Sequence, residues 1–130
     1  MNPILKTYVL CSGIPYGNGE QILYKYFNTA YQAKEDLKIY GDGKNIIPMI
    51  HVNDLATYVK LCIYKRPSDI EYILALDHSK TRTQGSIIKA ISNGMGQVPI
   101  KNINLMDAVF EPDFNIMTIN IPVLPSNLLS

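Results

Sequence analysis

Tyr40-Gly41-Asp42-Gly43-Lys44 sets a phenol and an amine four residues apart. On a helix that spacing brings both onto one face, where the lysine can lower the tyrosine's pKa for proton transfer. Two glycines around an aspartate make a turn instead, so the pair is not expected to act together. His51 could serve as an acid/base group or touch a ligand. No second titrating group stands at a suitable spacing, and we favour a strand-end histidine bonded to nearby backbone. Asp54 could bind a ligand hydroxyl, but Asn53 or Asp54 also suits the N-cap of a following helix, the simpler role. Asp77-His78-Ser79 lines up three triad residue types. A triad is defined by geometry rather than adjacency, and consecutive residues after a strand point different ways, so a loop is expected. The stretch from Gly13 to Gly19 ends a strand on the side where α/β sheets bind ligands. Tyr16 and Gly17 are therefore the candidate remnants of a ligand loop. No residue is assigned as catalytic or metal-ligating, and no cofactor is expected.

These residues need elements to position them. Tyr8-Val9-Leu10-Cys11 is an apolar run long enough for a buried strand. From Glu20 a stripe of Ile22, Leu23, Tyr26, Phe27, Ala30 and Tyr31 predicts a one-faced helix. Leu37-Lys38-Ile39-Tyr40 and Ile46-Ile47-Pro48-Met49-Ile50-His51-Val52 flank an Asp-Gly pair, a hairpin signal. Pro48 cannot donate to a ladder and puts the second run at an edge or a bulge. Leu55, Ala56, Val59, Cys62 and Ile63 stripe the next helix, and Glu71-Tyr72-Ile73-Leu74-Ala75-Leu76 reads as a buried parallel strand. Thr81 with Gln84 fits a capping box before Ile87, Ile88 and Ile91, and Asn93-Gly94 ends that helix. Val98 to Ile103 is a weak edge strand. Met117 to Ile121 alternates, and Pro122 and Pro125 lead into an end expected to fray. The reading is an α/β partial domain over residues 1–110 with an extended tail over 111–130.

Apolar residues make up 47% and charged residues 18%, the balance of a folded globular chain rather than a disordered one. Net charge is +1, with no block of like charge, so neither a nucleic-acid nor a membrane surface is expected. Cys11 and Cys62 sit in apolar company without zinc spacing, which favours a reducing, intracellular setting. The first six residues lack the apolar core of a signal peptide.

Tyr16-Gly17-Asn18-Gly19-Glu20, then Gly41-Asp42-Gly43-Lys44-Asn45, then Ile50-His51-Val52-Asn53-Asp54-Leu55-Ala56 resemble the C-terminal half of extended short-chain dehydrogenases, the NAD-dependent epimerase/dehydratase family. Ile47-Pro48-Met49-Ile50-His51-Val52-Asn53-Asp54-Leu55 and Ile116-Met117-Thr118-Ile119-Asn120-Ile121-Pro122 resemble more closely the N-terminal epimerase-like region of the ciliary adenylate kinase seven family. The resemblance implies a partial Rossmann-like fold, and a place in the cytoplasm in the axoneme of cilia or flagella. The family's glycine fingerprint and Tyr-x-x-x-Lys pair belong to a half that this stretch does not contain, and the kinase P-loop is absent. Where sugar-nucleotide enzymes carry an Arg-Asp pair, the Arg meeting phosphates, this chain has Ile47 and Pro48. Isoleucine cannot supply the charge-assisted donors that a pyrophosphate needs.

The expectation is a non-catalytic interaction module of the axoneme, its incomplete sheet finished by other polypeptide among axonemal partners. The alternatives are a fragment of an NAD(P)-dependent epimerase or dehydratase active with its N-terminal half, or a region associated with an adenylate kinase.

Overall fold

A computed structural model describes residues 5–69, 71–80 and 82–127. Short apolar runs alternate with helices in the order β1 (Val9–Ser12), β2 (Ile14–Tyr16), α1 (Tyr24–Gln32), β3 (Leu37–Tyr40), β4 (Met49–His51), α2 (Val52–Lys65), β5 (Tyr72–Ala75), α3 (Gln84–Gly94), β6 (Ile100–Ile103), α4 (Leu105–Ala108) and α5 (Phe114–Met117). The strands pair in parallel as three two-stranded units: β1 with β5, β2 with β4 and β3 with β6. Parallel neighbours need crossover connections, and the helices supply them. The architecture is α/β, with small and incomplete sheets.

β1 and β2 form one run that changes partner at Gly13. Before it, the run follows β5, with Val9 opposite Tyr72 and Ser12 opposite Ala75. The Gly13 N–H donates to Ala75 O (3.0 Å), and the next N–H, of Ile14, donates to Pro48 O (2.8 Å) and opens the pairing with β4. A Cβ at Gly13 would lie 3.0 Å from the Met49 carbonyl carbon, so the crossing tolerates no side chain. Two cores result. The larger joins α1, β3 and α3 through Tyr26, Ala30, Leu37, Ile39 and Ile88. The smaller lies between α2 and the β1–β5 pair, around Ile50, Tyr58, Cys62 and Ile73.

The expected hairpin does not form. Gly41-Asp42-Gly43 turns the chain, with Lys44 N–H donating to Asp42 Oδ1 (2.9 Å), but β3 leaves to pair with β6 and β4 with β2. Leu37, Ile39 and Tyr40 are all buried, and a strand covered on both faces suits a parallel sheet under helices better than a hairpin. β1 is half-covered rather than buried: Leu10 and Cys11 are partly covered, while Val9 is 44% exposed.

Helix boundaries and faces also shift. α1 begins at Tyr24, four residues after Glu20, and buries Tyr26 and Ala30 while Phe27 and Tyr31 stay exposed. α2 buries Tyr58 and Cys62, leaving Val59 and Ile63 outside. Its N-cap is His51, not Asn53 or Asp54: the imidazole Nδ1 accepts from Asn53 N–H (3.1 Å). For α3 the cap is Thr83, whose Oγ1 accepts from Ser86 N–H (3.2 Å). Thr81 lies outside the described residues, and Gln84 has a different task. Fully buried, it accepts from Tyr40 N–H (2.6 Å) and donates to Tyr40 O (3.0 Å) and Asn45 Oδ1 (2.9 Å), tying α3 to β3.

The alternating stretch at Met117 does not become a strand; its first residue closes α5. Beyond it the chain is held rather than frayed as far as residue 127. Asn45 Nδ2 donates to Met117 O (2.9 Å) and Ile119 O (2.8 Å), Ile121 N–H donates to Ile46 O (2.9 Å), and Ser126 N–H donates to Leu74 O (2.9 Å).

Candidate functional site

Where the β1–β2 run ends, Tyr16 turns its ring edge-on to His51, ring centres 5.3 Å apart. The Tyr16 hydroxyl donates to Asp77 Oδ2 (2.7 Å), and the other Asp77 oxygen accepts from the His51 backbone N–H (3.2 Å). Asp77 thus sits two residues beyond β5 and joins the ends of β2 and β4. Burial, the hydrogen bond to Asp77 and the negative charges of Asp77 and Asp54 push the Tyr16 phenol up to about 12. At neutral pH it keeps its proton and serves as a fixed donor.

Gly17 follows at φ +92°, and a Cβ there would stand 2.2 Å from His51 Nε2. The glycine lets the loop close over the imidazole, whose other nitrogen caps α2. Asn18 Nδ2 adds a bond to Asn53 Oδ1 (2.7 Å), pinning the loop to the first turn of α2. Asp54 stands in that same turn, where a negative charge favours the helix dipole.

Tyr16 and Asp77 form part of the wall of a cleft of about 340 Å³. Leu23, Phe27, Ile47, Met49 and Ile91 give it an apolar lining, and Ser79, Arg82 and Ser86 supply the remaining polar groups. Arg82 Nη1 donates to Val123 O (2.5 Å), which brings the C-terminal segment to the cleft. Its charge could meet an anion; the apolar wall would hold a flat or aliphatic group. Gly17 packs against the His51 ring and is not part of the lining. A smaller cavity, about 170 Å³, also has Asp77 in its wall and is lined by Asp54, Tyr58 and His78 among others.

The triad residue types at 77–79 look in different directions. Asp77 faces Tyr16, while His78 Nε2 meets the Tyr58 hydroxyl at 3.3 Å. Nor do Tyr40 and Lys44 form a pair. Tyr40 OH donates to Asp113 Oδ1 (2.6 Å), and Lys44 is exposed on the turn. Among the described residues no group of three His, Cys, Asp or Glu could hold a metal ion.

A second constellation escaped the sequence reading. Asp113 accepts from both Tyr26 and Tyr40 and pairs with Lys25 (3.2 Å), while Glu111 pairs with Lys38 (3.0 Å) and Lys25 (3.4 Å). Burial acts to raise the Asp113 carboxyl, but the two tyrosine bonds and Lys25 outweigh it and hold it below the usual range. Burial first, then the bond to Asp113, drives Tyr26 and Tyr40 well above an ordinary phenol. This cluster anchors the segment after α4 to α1 and β3. Nothing local in the sequence links residues so far apart.

No protein-family model matches the chain. Adenylate kinase 7 of Macaca fascicularis is 35% identical over 108 residues, 82% of this chain and 20% of that protein. The chain is homologous to one segment of adenylate kinase 7. The Mus musculus protein is 34% identical over the same length, 17% of its own, so the chain spans about a fifth or less of these relatives. Among solved structures, UDP-N-acetylglucosamine 4-epimerase from Bacillus cereus superposes with a TM-score of 0.59 at 16% identity, covering 84% of this chain and 40% of that one. ADP-L-glycero-D-manno-heptose-6-epimerase of Helicobacter pylori gives 0.55 at 12% identity, covering 92% of this chain and 40% of that one. The homology to adenylate kinase 7 and the epimerase-like, partial Rossmann fold thus agree with the motifs at Tyr16, Gly41 and His51. No described helix is long and apolar enough to cross a membrane.

Proposed function

We propose that this chain is a non-catalytic structural and interaction module of the ciliary axoneme, built on a degenerate epimerase-like scaffold. The observation that carries the reading is the fate of Ile47 and Pro48. Ile47 is 1% exposed in the larger core, and the carbonyl of Pro48 starts the β2–β4 pairing. Residues at the place where sugar-nucleotide enzymes meet phosphate thus serve packing and sheet formation. The Tyr16 hydroxyl is likewise committed to Asp77. The ciliary setting is what the resemblance to the ciliary adenylate kinase seven family implies, and the homology to adenylate kinase 7 is consistent with that resemblance.

Partners follow from the sheet. Val9 and Gly13 N–H groups turn toward β5, so the intervening Leu10 and Ser12 turn their main-chain groups away from it. That outer edge of β1 is where neighbouring polypeptide would add a strand. The decisive experiment is calorimetric titration of the purified chain with NAD⁺, NADH and a UDP-sugar. The expected result is no saturable heat; saturable dinucleotide binding rejects the proposal.

A second reading, a fragment of an active epimerase or dehydratase, draws on the Tyr16–Asp77 pair standing in a cleft at a strand end. Co-expression with the missing half tests it, with epimerase turnover as the readout. An adenylate kinase association would rest on the rest of the relatives' length.

A further inference from the structure

Asparagine is followed by glycine twice in the chain, at Asn18-Gly19 and at Asn93-Gly94. With no Cβ on the second residue, its backbone nitrogen can fold back onto the asparagine side chain, which makes the pair chemically labile. All four residues are exposed. Sequence and exposure therefore do not separate the two places; the backbone does.

Asn18 and Gly19 are the central residues of a turn, at φ +49° and +92°, closed by Glu20 N–H donating to Gly17 O (3.1 Å). Nothing lies within 4 Å of the place that a Gly19 Cβ would take, so the Asn18–Gly19 peptide has room to rotate. The Asn18 side chain is restrained by its bond from Nδ2 to Asn53 Oδ1 (2.7 Å), an exposed bond that exchanges readily for bonds to water. Asn93 and Gly94 are instead the last two residues of α3. In a helix the Gly94 N–H points along the axis toward the carbonyl four residues earlier, away from the Asn93 side chain.

We propose that Asn18 is a self-modification site, converting to an aspartyl or isoaspartyl residue and so unpinning the loop that carries Tyr16 and Gly17, while Asn93 stays intact. The Gly19 nitrogen loses its proton and attacks Asn18 Cγ. The new N–C bond closes a five-membered imide, the Cγ–Nδ2 bond breaks, and ammonia leaves with the proton. Water then opens the ring. Cleavage at Cγ gives the aspartyl form, and cleavage at the main-chain carbonyl gives the isoaspartyl form, whose backbone is one carbon longer. Water is the only co-reactant. Either product loses the amide that donated to Asn53 and gains a carboxylate facing the turn of α2 that holds Asp54. The inference holds whether or not the cleft binds a nucleotide.

The test incubates the full chain in mildly alkaline buffer, native and in urea, and follows both pairs by mass spectrometry. Trypsin puts them in separate peptides, residues 7–25 and 90–101. In the native chain the first should gain acid at least about tenfold faster than the second, because α3 must open before Asn93 can react. In urea the two rates should come within about threefold of each other, since the helix is gone. Gly19→Ala should slow the first peptide at least about tenfold. In the separated isoaspartyl product, amide exchange at Gly17 and Asn53 should quicken while Ile73 and Ile88 keep their protection. Equal native rates, an intact 7–25 peptide or a G19A chain that reacts as fast as the parent overturns the site. Unchanged exchange at Gly17 and Asn53 in the modified chain overturns the unpinning.

Discussion

Gly17 is the residue whose substitution separates two costs that usually travel together. Gly17 and Gly19 share φ +92°, but only at Gly17 would a Cβ strike the His51 ring, while nothing lies within 4 Å of the Gly19 position. Gly19→Ala should therefore cost only the backbone term, ~1 kcal/mol, and Gly17→Ala ~2–4 kcal/mol, measured by urea unfolding. Tyr16 offers a spectroscopic check. Its raised pKa should fall from about 12 toward, but not to, an ordinary phenol in Asp77→Asn, since burial, the largest cause, remains. Carbon-detected NMR titration, assigned with Tyr16→Phe, reads this directly; an unmoved pKa would mean that the carboxylate contributes nothing. Tyr16 and Gly17 stood out in the sequence because glycines and a proline broke a strand there. Asp77 drew notice only as one of three adjacent triad residue types; its bond to Tyr16 was not legible, because the two lie 61 positions apart.

At the level of elements, one buried amide, of Gln84, and one half-buried carboxylate, of Asp113, tie distant segments together. Gln84→Leu should destabilise by ~2–4 kcal/mol, because Tyr40 N–H and C=O would lose their side-chain partner in a dry site. Asp113→Asn should cost ~2–3 kcal/mol at neutral pH by weakening charge-assisted bonds from Tyr26 and Tyr40. The pH dependence follows with a definite sign. Asp113 and Glu111 lie below their ordinary values when folded, so their contribution is whole above the unfolded carboxylate range near pH 4 and fades as pH falls through the lowered values. Tyr26 and Tyr40 are raised, so theirs is whole below about pH 10 and fades as pH rises. Thermal melts across both limbs should show a shallower acid limb in D113N than in the parent. Periodicity located α1, α2, α3, β1, β3, β4, β5 and β6, but it missed α4 and α5 and read the β2 stretch Ile14–Tyr16 as loop. It misjudged which strands pair, because Asp42-Gly43 encodes a turn and not the identity of the next neighbour. It also misjudged the exposed faces of α1 and α2, where apolar residues such as Tyr31 and Ile63 point outward.

For the whole molecule, the α/β class was legible because buried runs alternate with amphipathic helices, and the motif order around Tyr16, Gly41 and His51 carried the relationship that homology then showed. The docking of residues 118–127 was not legible. Its bonds are polar, scattered and made to residues such as Asn45, Ile46 and Leu74 that announce nothing by themselves. The run from residue 9 to residue 16 has a mechanical meaning as well. It is a lever pinned where Gly13 rests against the Met49 backbone, with Leu10 on one arm and Tyr16 on the other. Whatever seats beside Leu10 should stiffen the tyrosine at the mouth of the cleft.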